Sequence, residues 1–244
     1  MLRLDETGFG NMKVYQETDE FCYGVDAVML SDFASANIKK PYDKFRIMDL
    51  GTGSGIIPVI LAHKTEAGFI GGIEVQEGSY NLCRKNLAVN NLEGRVEFFH
   101  SNVKDFATEE NRETFSLVTS NPPYMKGSCG IKSANEAKGI ARHETLGTLE
   151  DFVKLAAWLL KDKGEFCMVH RPSRLVDICE MCRAYRLEPK EIRFVSGKPM
   201  EKPNILLVRC VKNGNRELKV LEPLSVYENN GTYSEEILKM YEKK

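Results

Sequence analysis

The segment KFRIMDLGTGSGIIPVILAHK, Lys44–Lys64, places two different hydrophobic patterns on either side of a glycine-rich stretch. Residues 44–50 are short and mostly apolar, which predicts a buried strand. Residues 55–64 predict a helix with Pro58 in its first turn, where proline is tolerated because that N–H has no helical partner. A strand, a glycine turn and a helix in this order are typical of an α/β fold.

Strands and helices continue to alternate along the chain, which predicts a parallel sheet with helices on both faces. We expect one helix from Val25 and another from Thr148, capped by Thr148 and Asp151 and ended by Gly164. The last two strands have no helix between them and should pair antiparallel at one edge. The other predicted strands are residues 68–75, 95–100, 115–120, 165–170, 190–196 and 204–212, and the other predicted helices are residues 77–91 and 173–186.

These elements predict a doubly wound, Rossmann-like α/β domain with a seven-stranded, mostly parallel sheet and an antiparallel edge strand. A chain of 244 residues is long enough for one such domain with additions. We expect residues 1–244 to form a single domain, with residues 1–43 as an N-terminal extension and residues 220–244 as a C-terminal tail packed on it.

The composition indicates a cytoplasmic protein without a membrane anchor. No apolar run reaches the roughly 18 residues that a transmembrane helix needs, and MLRLDETGFG lacks the apolar core of a signal peptide. Seven scattered cysteines fit a reducing compartment better than a disulfide framework. Cys179 and Cys182 form a single C-x-x-C without a second pair or nearby histidines, so we expect no metal site.

Charge is unevenly distributed, although the net charge is only −1. Between Asn121 and Lys219 there are 19 Lys and Arg residues against 12 Asp and Glu. A basic region beside an acidic remainder permits a polyanionic partner on one face, although two solvated surfaces would give the same pattern.

The stretch DLGTGSG, Asp49–Gly55, does not match the common phosphate-binding loops. A P-loop needs Gly-Lys-Ser/Thr after the glycines, and the dinucleotide motif G-x-G-x-x-G needs its third glycine one residue later. Gly51, Gly53 and Gly55 still allow a tight turn and a close approach of the backbone to a ligand. A glycine turn that serves only packing is the alternative interpretation.

Acidic residues near this turn narrow the class of ligand. Asp49 precedes the turn and could accept from an amine, and Glu74 ends the next strand, where a carboxylate can bind both hydroxyls of a ribose. This set resembles the S-adenosylmethionine site of the class I, Rossmann-like methyltransferases. In those enzymes an acid after the third strand binds the adenine amino group. Here Asn102 holds that place with Asp105 three residues on, and a helix cap is the alternative role for Asn102.

The stretch SNPPYMKG, Ser120–Gly127, follows the fourth predicted strand, at the edge of an open sheet where ligands bind. An amino group on a planar ring is a poor nucleophile, and two hydrogen-bond acceptors on its N–H groups would help its methylation, because they orient the lone pair and offset the developing positive charge. Asn121 Oδ1 and the Pro122 carbonyl can be these acceptors, and Tyr124 can stack on the flat group. We therefore expect catalytic roles for Asn121, Pro122 and Tyr124, with Asn121 also facing the cofactor.

Asn-Pro-Pro-Tyr occurs in methyltransferases that act on adenine N6, on an exocyclic guanine nitrogen and on the glutamine amide of release factors. The chain resembles one family in that group, the bacterial tRNA1(Val) (adenine-37-N6)-methyltransferases, over nearly its whole length. The resemblance implies a cytosolic enzyme that uses S-adenosylmethionine to methylate adenine N6 beside a tRNA anticodon. It also places Tyr23 and Asp26 beside the cofactor, although Tyr23 as a core aromatic is an equal alternative. The segments that carry the resemblance are YQETDEFCYGVDAVMLSDFA, ARHETLGTLEDFVKLAAWLLKDKG, VHRPSRLVDI, LEPKEIRFVSGKP and LKVLEPLSVYENNGTYSEEILKMY.

The same resemblance makes tRNA the expected partner, with no role for DNA or a membrane, and leaves the oligomeric state open. His143 and Glu144 are not expected to act as acid and base, because the proton on the attacking nitrogen can leave after the transfer. The candidate phosphate contacts are Lys126, Lys132, Lys138, Arg142, Arg171 and Arg174.

Three other functions fit parts of the pattern. A release-factor glutamine methyltransferase shares both motifs, but that family usually has a long helical domain before the glycine loop, where this chain has 48 residues. A DNA adenine methyltransferase would need a target-recognition domain. A non-catalytic RNA-binding module that has kept the fold is the alternative from another class, and the intact Asn-Pro-Pro-Tyr argues against it.

Overall fold

The computed structural model describes residues 1–17, 23–36, 38, 44–122 and 147–242. None of the helices in this part of the chain combines the length and the apolar character needed to cross a membrane. The strands are β1 (Leu2–Glu6), β2 (Lys13–Glu17), β3 (Arg46–Leu50), β4 (Phe69–Glu74), β5 (Val96–His100), β6 (Phe115–Ser120), β7 (Leu160–His170), β8 (Leu187–Ser196), β9 (Ile205–Lys212), β10 (Lys219–Val220) and β11 (Leu224–Ser225). The α-helices are α1 (Val25–Ser35), α2 (Ile56–Lys64), α3 (Glu77–Val89), α4 (Leu149–Leu159), α5 (Leu175–Ala184) and α6 (Glu235–Met240).

The main sheet confirms the predicted α/β fold class. Its strands follow the order β5-β4-β3-β6-β7-β9-β8, and β3 to β7 pair in parallel. Apolar residues of α1, α2 and α6 pack on one face of this sheet, and those of α4 and α5 pack on the other. The parallel strands therefore bring their carboxyl ends to one edge, between two layers of helices.

The position of the antiparallel strand differs from the prediction. β8 and β9 do pair antiparallel, but β9 lies between β7 and β8 and is antiparallel to both, so it is not the edge strand. The reason is composition, because β9 is apolar on both faces, with buried residues from Ile205 to Val208 and Cys210. β8 carries charged residues and Pro189, which suit an outer position.

Two short strands extend the sheet beyond the predicted seven. β10 and β11 both pair in parallel with β8, with Lys219 opposite Glu191 and Leu224 opposite Val195. They supply backbone partners along the outer side of β8, which would otherwise be an open edge.

The helix expected to end at Gly164 ends five residues earlier, at Leu159. The capping box at Thr148 and Asp151 is present as predicted. Leu160 then turns into extended backbone, is fully buried and pairs with Phe115, and β7 resumes regular pairing at Glu165. Burial of Leu160 against the sheet thus overrides the helix-compatible sequence that follows it, and Gly164 lies inside β7.

The N-terminal residues form a β-hairpin of β1 and β2 that the sequence patterns did not reveal. Side-chain amides of α3 and of Asn90, the residue that follows its last turn, hold the hairpin by its backbone. The N–H of Lys13 donates to Asn90 Oδ1 at 2.8 Å, and the N–H of Tyr15 donates to Asn86 Oδ1 at 2.6 Å. Helix side chains thus take over part of the strand-to-strand bonding along β2.

The C-terminal residues pack against the N-terminal ones. The ring of Tyr241 stacks on Phe9 with 5.6 Å between ring centroids, and Ile237 and Met240 are buried in the same apolar cluster as α1 and α2. The division of the chain into a single domain with an extension and a tail stays a prediction.

Candidate functional site

The glycine loop lies between β3 and α2, with its three glycines in the left-handed region of backbone conformation. The φ angles of Gly51, Gly53 and Gly55 are 68°, 60° and 80°. A Cβ atom at Gly55 would lie 2.6 Å from the Phe98 ring, so that glycine is needed for packing. A Cβ atom at Gly53 would meet nothing within 4 Å. Gly53 therefore borders open space, which fits a loop that leaves room for a ligand.

Glu74 ends β4 and is held by the glycine loop itself. Its Oε2 accepts from the N–H of Gly53 at 2.8 Å, and its Oε1 accepts from the N–H of Gln76 at 2.8 Å. The side chain is only 4% exposed, and burial raises the pKa of its carboxyl while these backbone donors oppose the shift. Each carboxylate oxygen keeps further acceptor capacity, so the position suits a ligand that offers hydroxyl donors.

Asp49 is buried beneath the same loop. Its Oδ1 accepts from the Thr119 hydroxyl at 2.7 Å, which links β3 to β6. Burial raises the pKa of the Asp49 carboxyl to about 7, although the Thr119 hydrogen bond opposes the shift. Asp49 Oδ2 and Thr52 Oγ1 are buried without a hydrogen-bond partner among the described residues.

The space beside the glycine loop suits an adenosine with an amino-acid tail. The residues present fit such a group, because the open side of Gly53, the acceptor capacity of Glu74 and the two unpaired buried oxygens all occur at one loop. A buried polar atom without a partner costs free energy, which a ligand donor can recover.

A side chain that sequence reasoning missed supports the loop from α3. The Asn86 amide is fully buried, donates to the Ser54 carbonyl at 2.8 Å and accepts from the Tyr15 N–H. The signal in the sequence was a polar residue on the apolar stripe of α3, four positions after Leu82. Asn86 thus joins the N-terminal hairpin to the glycine loop.

The other predicted cofactor residues lie in less direct positions. Asn102 Oδ1 accepts from the Lys104 N–H at 3.0 Å, a local turn bond of the kind expected for a capping residue. Asp105 lines a cavity of about 630 Å³ together with Arg46 and Phe106. A contact of Asn102 or Asp105 with a cofactor adenine stays a prediction.

Tyr23 and Asp26 lie where the N-terminal hairpin meets α1. Tyr23 packs against the apolar core, and burial, followed by the nearby Asp5 and Tyr233, raises its pKa. This environment favours the core role that was the alternative for Tyr23. Asp26 lies in the first turn of α1, and a contact of either residue with the cofactor stays a prediction.

Asn121 and Pro122 follow β6 directly beside the glycine loop. The Ser120 hydroxyl donates to the Leu50 carbonyl at 3.0 Å, which ties the end of β6 to the residue before Gly51. Asn121 is half-buried and Pro122 is buried. Tyr124 lies outside the described residues.

The candidate RNA contacts divide into two groups. Arg171 is exposed, and its Nη1 donates to the Asn204 carbonyl at 3.0 Å. Arg174 is paired with Asp177, with 2.6 Å between Nε and Oδ2. Both follow β7, at the edge of the sheet that carries the glycine loop. The candidates Lys126, Lys132, Lys138 and Arg142 lie outside the described residues, as do His143 and Glu144.

A second residue that the sequence reasoning missed is His170, the last residue of β7. It lines a cavity of about 220 Å³ together with Pro122, and this space is called the Pro122–His170 cavity below. Only the polar end of the apolar strand EFCMVH hinted at such a position. The other lining residues are Gly147, Thr148, Leu149, Glu150, Phe152, Arg174 and Met181.

Among the described residues, no group of three or more His, Cys, Asp or Glu side chains is arranged to hold a metal ion. Cys179 and Cys182 lie on α5, with Cys182 buried and both thiols free.

Two curated relatives cover most of the chain. The tRNA1(Val) (adenine(37)-N6)-methyltransferase of Flavobacterium johnsoniae is 26% identical over 214 residues, which are 88% of this chain and 88% of the relative. The protein of the same name from Porphyromonas gingivalis is 26% identical over 223 residues, which are 90% of this chain and 86% of the relative. The resemblance predicted from the sequence segments is confirmed by these matches.

Solved structures share the fold at lower sequence identity. A predicted O-methyltransferase from Agrobacterium tumefaciens has a TM-score of 0.71 and 21% identity, covering 89% of this chain and 95% of that chain. P. horikoshii TYW2 in complex with MeSAdo has a TM-score of 0.61 and 12% identity, covering 88% of this chain and 72% of that chain.

The sequence profile of the methyltransferase small domain matches residues 11–177, which include the glycine loop, Glu74 and Asn-Pro-Pro-Tyr. The prediction that this chain is a methyltransferase is thereby confirmed. Because the match spans more than half of the sequence, the chain belongs to the methyltransferase small domain family.

Proposed function

We propose that this protein transfers a methyl group from S-adenosylmethionine to N6 of adenine in tRNA, at position 37 of tRNA1(Val). The observation that carries the proposal is the placement of Asn121 and Pro122 after β6, next to the glycine loop that follows β3. The names of the curated relatives support the choice of substrate.

The cofactor would be held by the loop of Gly51, Gly53 and Gly55, by Glu74 and by Asp49. Bound S-adenosylmethionine supplies a methyl group on a positively charged sulfur. Glu74 offers acceptors to two ribose hydroxyls, and the Asp49 carboxylate offers an acceptor to a cationic amine.

Asn121 and Pro122 would act on the adenine amino group. The N6 lone pair is delocalised into the ring, so the nitrogen is a weak nucleophile until its two N–H groups are held. Asn121 Oδ1 and the Pro122 carbonyl accept these two hydrogens and leave the lone pair directed at the methyl group. The same acceptors stabilise the positive charge that develops on nitrogen, and the proton leaves after the transfer.

The tRNA would be bound by the basic part of the chain after Asn121. An adenine in an anticodon loop must still leave its stack, which costs a few kcal/mol. Tyr124 can return roughly 1–3 kcal/mol by stacking on the extruded base. A tRNA substrate places the protein in the cytoplasm, and no DNA partner is proposed.

The test is a methyl-transfer assay with unmodified bulk tRNA and, in parallel, purified release factor. Nucleoside mass spectrometry should find N6-methyladenosine in the tRNA, and sequencing should place it at position 37 of tRNA1(Val). Transfer to the release factor alone would overturn the proposal in favour of glutamine methylation. Binding of tRNA without transfer to either substrate would indicate an RNA-binding module instead.

Two variants of Tyr124 distinguish stacking from other roles of this residue in the same assay. Tyr124→Ala should lower transfer strongly, whereas Tyr124→Phe should keep most of it because the ring face does the stacking. Equal inactivity of the two variants would show that stacking is not the main role of Tyr124.

A further inference from the structure

The C-terminal part of the chain carries an exposed aromatic side chain that the proposed site does not use. Tyr227 follows β11, and 38% of the residue is exposed. Within the part of the chain that the structure describes, every other phenylalanine, tyrosine and tryptophan is buried or half-buried. A single exposed ring is common on protein surfaces, so the support and the position of this ring decide whether it can bind a partner.

Tyr227 is the outermost ring of an aromatic column. Its ring stacks on Tyr233, with 5.2 Å between ring centroids and 10° between ring planes. Tyr233 stacks on Tyr241 at 5.7 Å, and Tyr241 stacks on the fully buried Phe9 at 5.6 Å. The column therefore leads from the core to the surface, and a flat ring placed on the exposed side of Tyr227 would extend it.

The backbone around Tyr227 fixes the position of the ring. The N–H of Tyr227 donates to the Gly197 carbonyl at 2.8 Å, and Tyr227 forms an antiparallel bridge with Tyr233. The next residue is also held, because the N–H of Glu228 donates to the Thr232 carbonyl at 2.8 Å. An aromatic ring that is fixed before binding loses little conformational entropy when a partner stacks on it.

The strand register places Tyr227 at the edge of the sheet that carries the Pro122–His170 cavity. His170 lies opposite Leu206 on β9, and Leu206 lies opposite Phe194 on β8. β11 pairs in parallel with the last two residues of β8, and Tyr227 comes two residues after β11. Tyr227 therefore extends beyond the same edge as the proposed methyl-transfer site.

The distance along this edge suits an RNA strand that enters the site. The strands between the two places follow the order β6-β7-β9-β8-β11, which is four strand spacings. At about 4.8 Å for each spacing, β11 lies about 19 Å from β6. A base several nucleotides away from the target can reach Tyr227 while the target adenine lies beside Asn121.

The loop that holds the Tyr227 backbone also suits RNA. This loop joins β8 to β9, and its residues Lys198 and Lys202 are exposed. The Glu201 carboxylate is bonded within the loop, because it accepts from the Lys198 N–H at 3.0 Å. Proteins bind single-stranded nucleic acids by combining aromatic stacking with cations that follow the backbone. An exposed ring with lysines on the neighbouring loop matches this combination.

We propose that the Tyr227 ring stacks on an unpaired base of the anticodon loop other than the target adenine, and thereby holds the tRNA at the site. This inference rests on the proposed function and adds to it a second contact with the same RNA. Tyr227 would bind the substrate without touching the reacting atoms.

The experiment measures the binding of an anticodon stem-loop RNA to variants of the full-length protein. The variants are Tyr227→Ala, Tyr227→Phe, Tyr227→Trp and the control Leu218→Ala. Leu218 is 43% exposed and precedes β10, which pairs with the middle of β8. The RNAs are the unmodified stem-loop and a series in which one loop base at a time, other than the target adenine, is replaced by an abasic site. Affinity for S-adenosylhomocysteine reports whether each variant keeps the folded cofactor site.

Tyr227→Ala should weaken binding of the unmodified stem-loop by about 5- to 100-fold, the scale of one base stacked on an aromatic side chain. Tyr227→Phe and Tyr227→Trp keep a ring and should bind nearly as tightly as the wild type, and Leu218→Ala should bind equally tightly. One abasic position should weaken binding by the wild type by a similar factor and leave Tyr227→Ala unchanged, because that contact is already lost. Affinity for S-adenosylhomocysteine should be the same in all variants.

Two results would overturn the proposal. One is wild-type affinity for the stem-loop in Tyr227→Ala, and the other is an equal loss in the wild type and Tyr227→Ala at every abasic position. If Tyr227→Ala does not fold, photo-crosslinking of the wild type to stem-loops with 4-thiouridine in the loop decides the question. Adducts should map to the peptide that contains Tyr227, and adducts on other peptides alone would count against the contact. A wild type that binds the stem-loop through Tyr227 but does not methylate tRNA would overturn the proposed function alone.

Discussion

Glu74 accepts a hydrogen bond from the backbone N–H of Gly53 at 2.8 Å, so the end of β4 holds the middle of the glycine loop directly. The second oxygen of the same carboxylate accepts from the Gln76 N–H, which begins the turn into α3. A single buried side chain therefore organises both backbone segments around the space that a ligand would fill. Substitutions at Glu74 should change the loop as well as the contact with the ligand.

Glu74→Ala should lower both the melting temperature and the affinity for S-adenosylhomocysteine. It leaves two backbone N–H groups without their acceptor, at a cost of about 1–3 kcal/mol for each group that stays buried. Differential scanning fluorimetry and calorimetric titration measure the two effects. Glu77→Ala, at an exposed position in the first turn of α3, is the control that should change neither. If Glu74→Ala bound S-adenosylhomocysteine as tightly as the wild type does, Glu74 would not contact the ligand.

Comparing Gly53→Ala with Gly94→Ala distinguishes the effect of backbone strain on stability from the effect of a filled ligand space on binding. The φ angle of Gly53 is 60° and that of Gly94 is 87°, and a Cβ atom at either position meets nothing within 4 Å. Both alanine variants should lose about 1–2 kcal/mol of stability through the left-handed backbone. Only Gly53→Ala should also weaken binding of S-adenosylhomocysteine, and Gly53→Val should weaken it further. Equal affinities in the Gly53 and Gly94 variants would contradict a ligand beside Gly53.

Asn121→Ala should reduce methyl transfer by about 10²–10³-fold, the effect of removing one preorganised polar group. Cofactor affinity should stay close to that of the wild type, because the Asn121 amide acts on the target amine. Asn121→Asp keeps an acceptor and should retain partial activity. Single-turnover rates on unmodified tRNA give the measurement, with the exposed Asn204→Ala as control, since Asn204 offers Arg171 only its backbone carbonyl. Transfer by Asn121→Ala at the wild-type rate would refute the proposed mechanism.

Asp49 should make the ligand-free protein less stable as the pH rises. Its pKa is about 7 in the folded protein against an ordinary value of 3.8, so between these values the folded state holds a proton that the unfolded state has lost. The free energy of unfolding therefore falls as the pH rises from about 4 to about 7. Above that range the stabilisation that comes from the proton on folded Asp49 is lost. Asp49→Asn removes it, so the drop in melting temperature between pH 5 and pH 8 should be smaller than in the wild type. Parallel pH profiles would exclude a raised pKa for Asp49.

Arg171→Ala should weaken tRNA binding and reduce its dependence on salt. Each phosphate contact contributes close to one unit to the slope of log affinity against log salt concentration. Arg171 is exposed at the edge that carries the glycine loop, whereas the exposed Arg216 follows β9 at the opposite edge. Fluorescence anisotropy at several salt concentrations should therefore give a smaller slope for Arg171→Ala and an unchanged one for Arg216→Ala. If the slope of log affinity against log salt concentration were the same in both variants, Arg171 would not contact an RNA phosphate.

The local patterns of the sequence were sufficient to predict three features of the site. These are the strand–loop–helix unit at Asp49–Gly55, the place of Glu74 at a strand end and the place of Asn121 after the fourth predicted strand. Each of these depends on residues close together in the chain, where the period of hydrophobic residues and the preferences of glycine and proline act directly. The alternation of such units was also enough to predict the parallel sheet, and the methyltransferase family was predicted from the resemblance that these motifs carry.

Long-range packing decided the rest. The insertion of β9 between β7 and β8 depends on which strand is apolar on both faces, and the early end of α4 depends on the burial of Leu160 against Phe115. The partners of Asp49 and Asn86 are 70 and 71 residues away, at Thr119 and Tyr15. His170 meets Pro122 only through the pairing of β6 with β7. Sequence patterns depend on residues that are close together along the chain. These contacts instead join residues that are far apart in the sequence, because folding of the sheet must bury apolar surface and give buried polar groups hydrogen-bond partners.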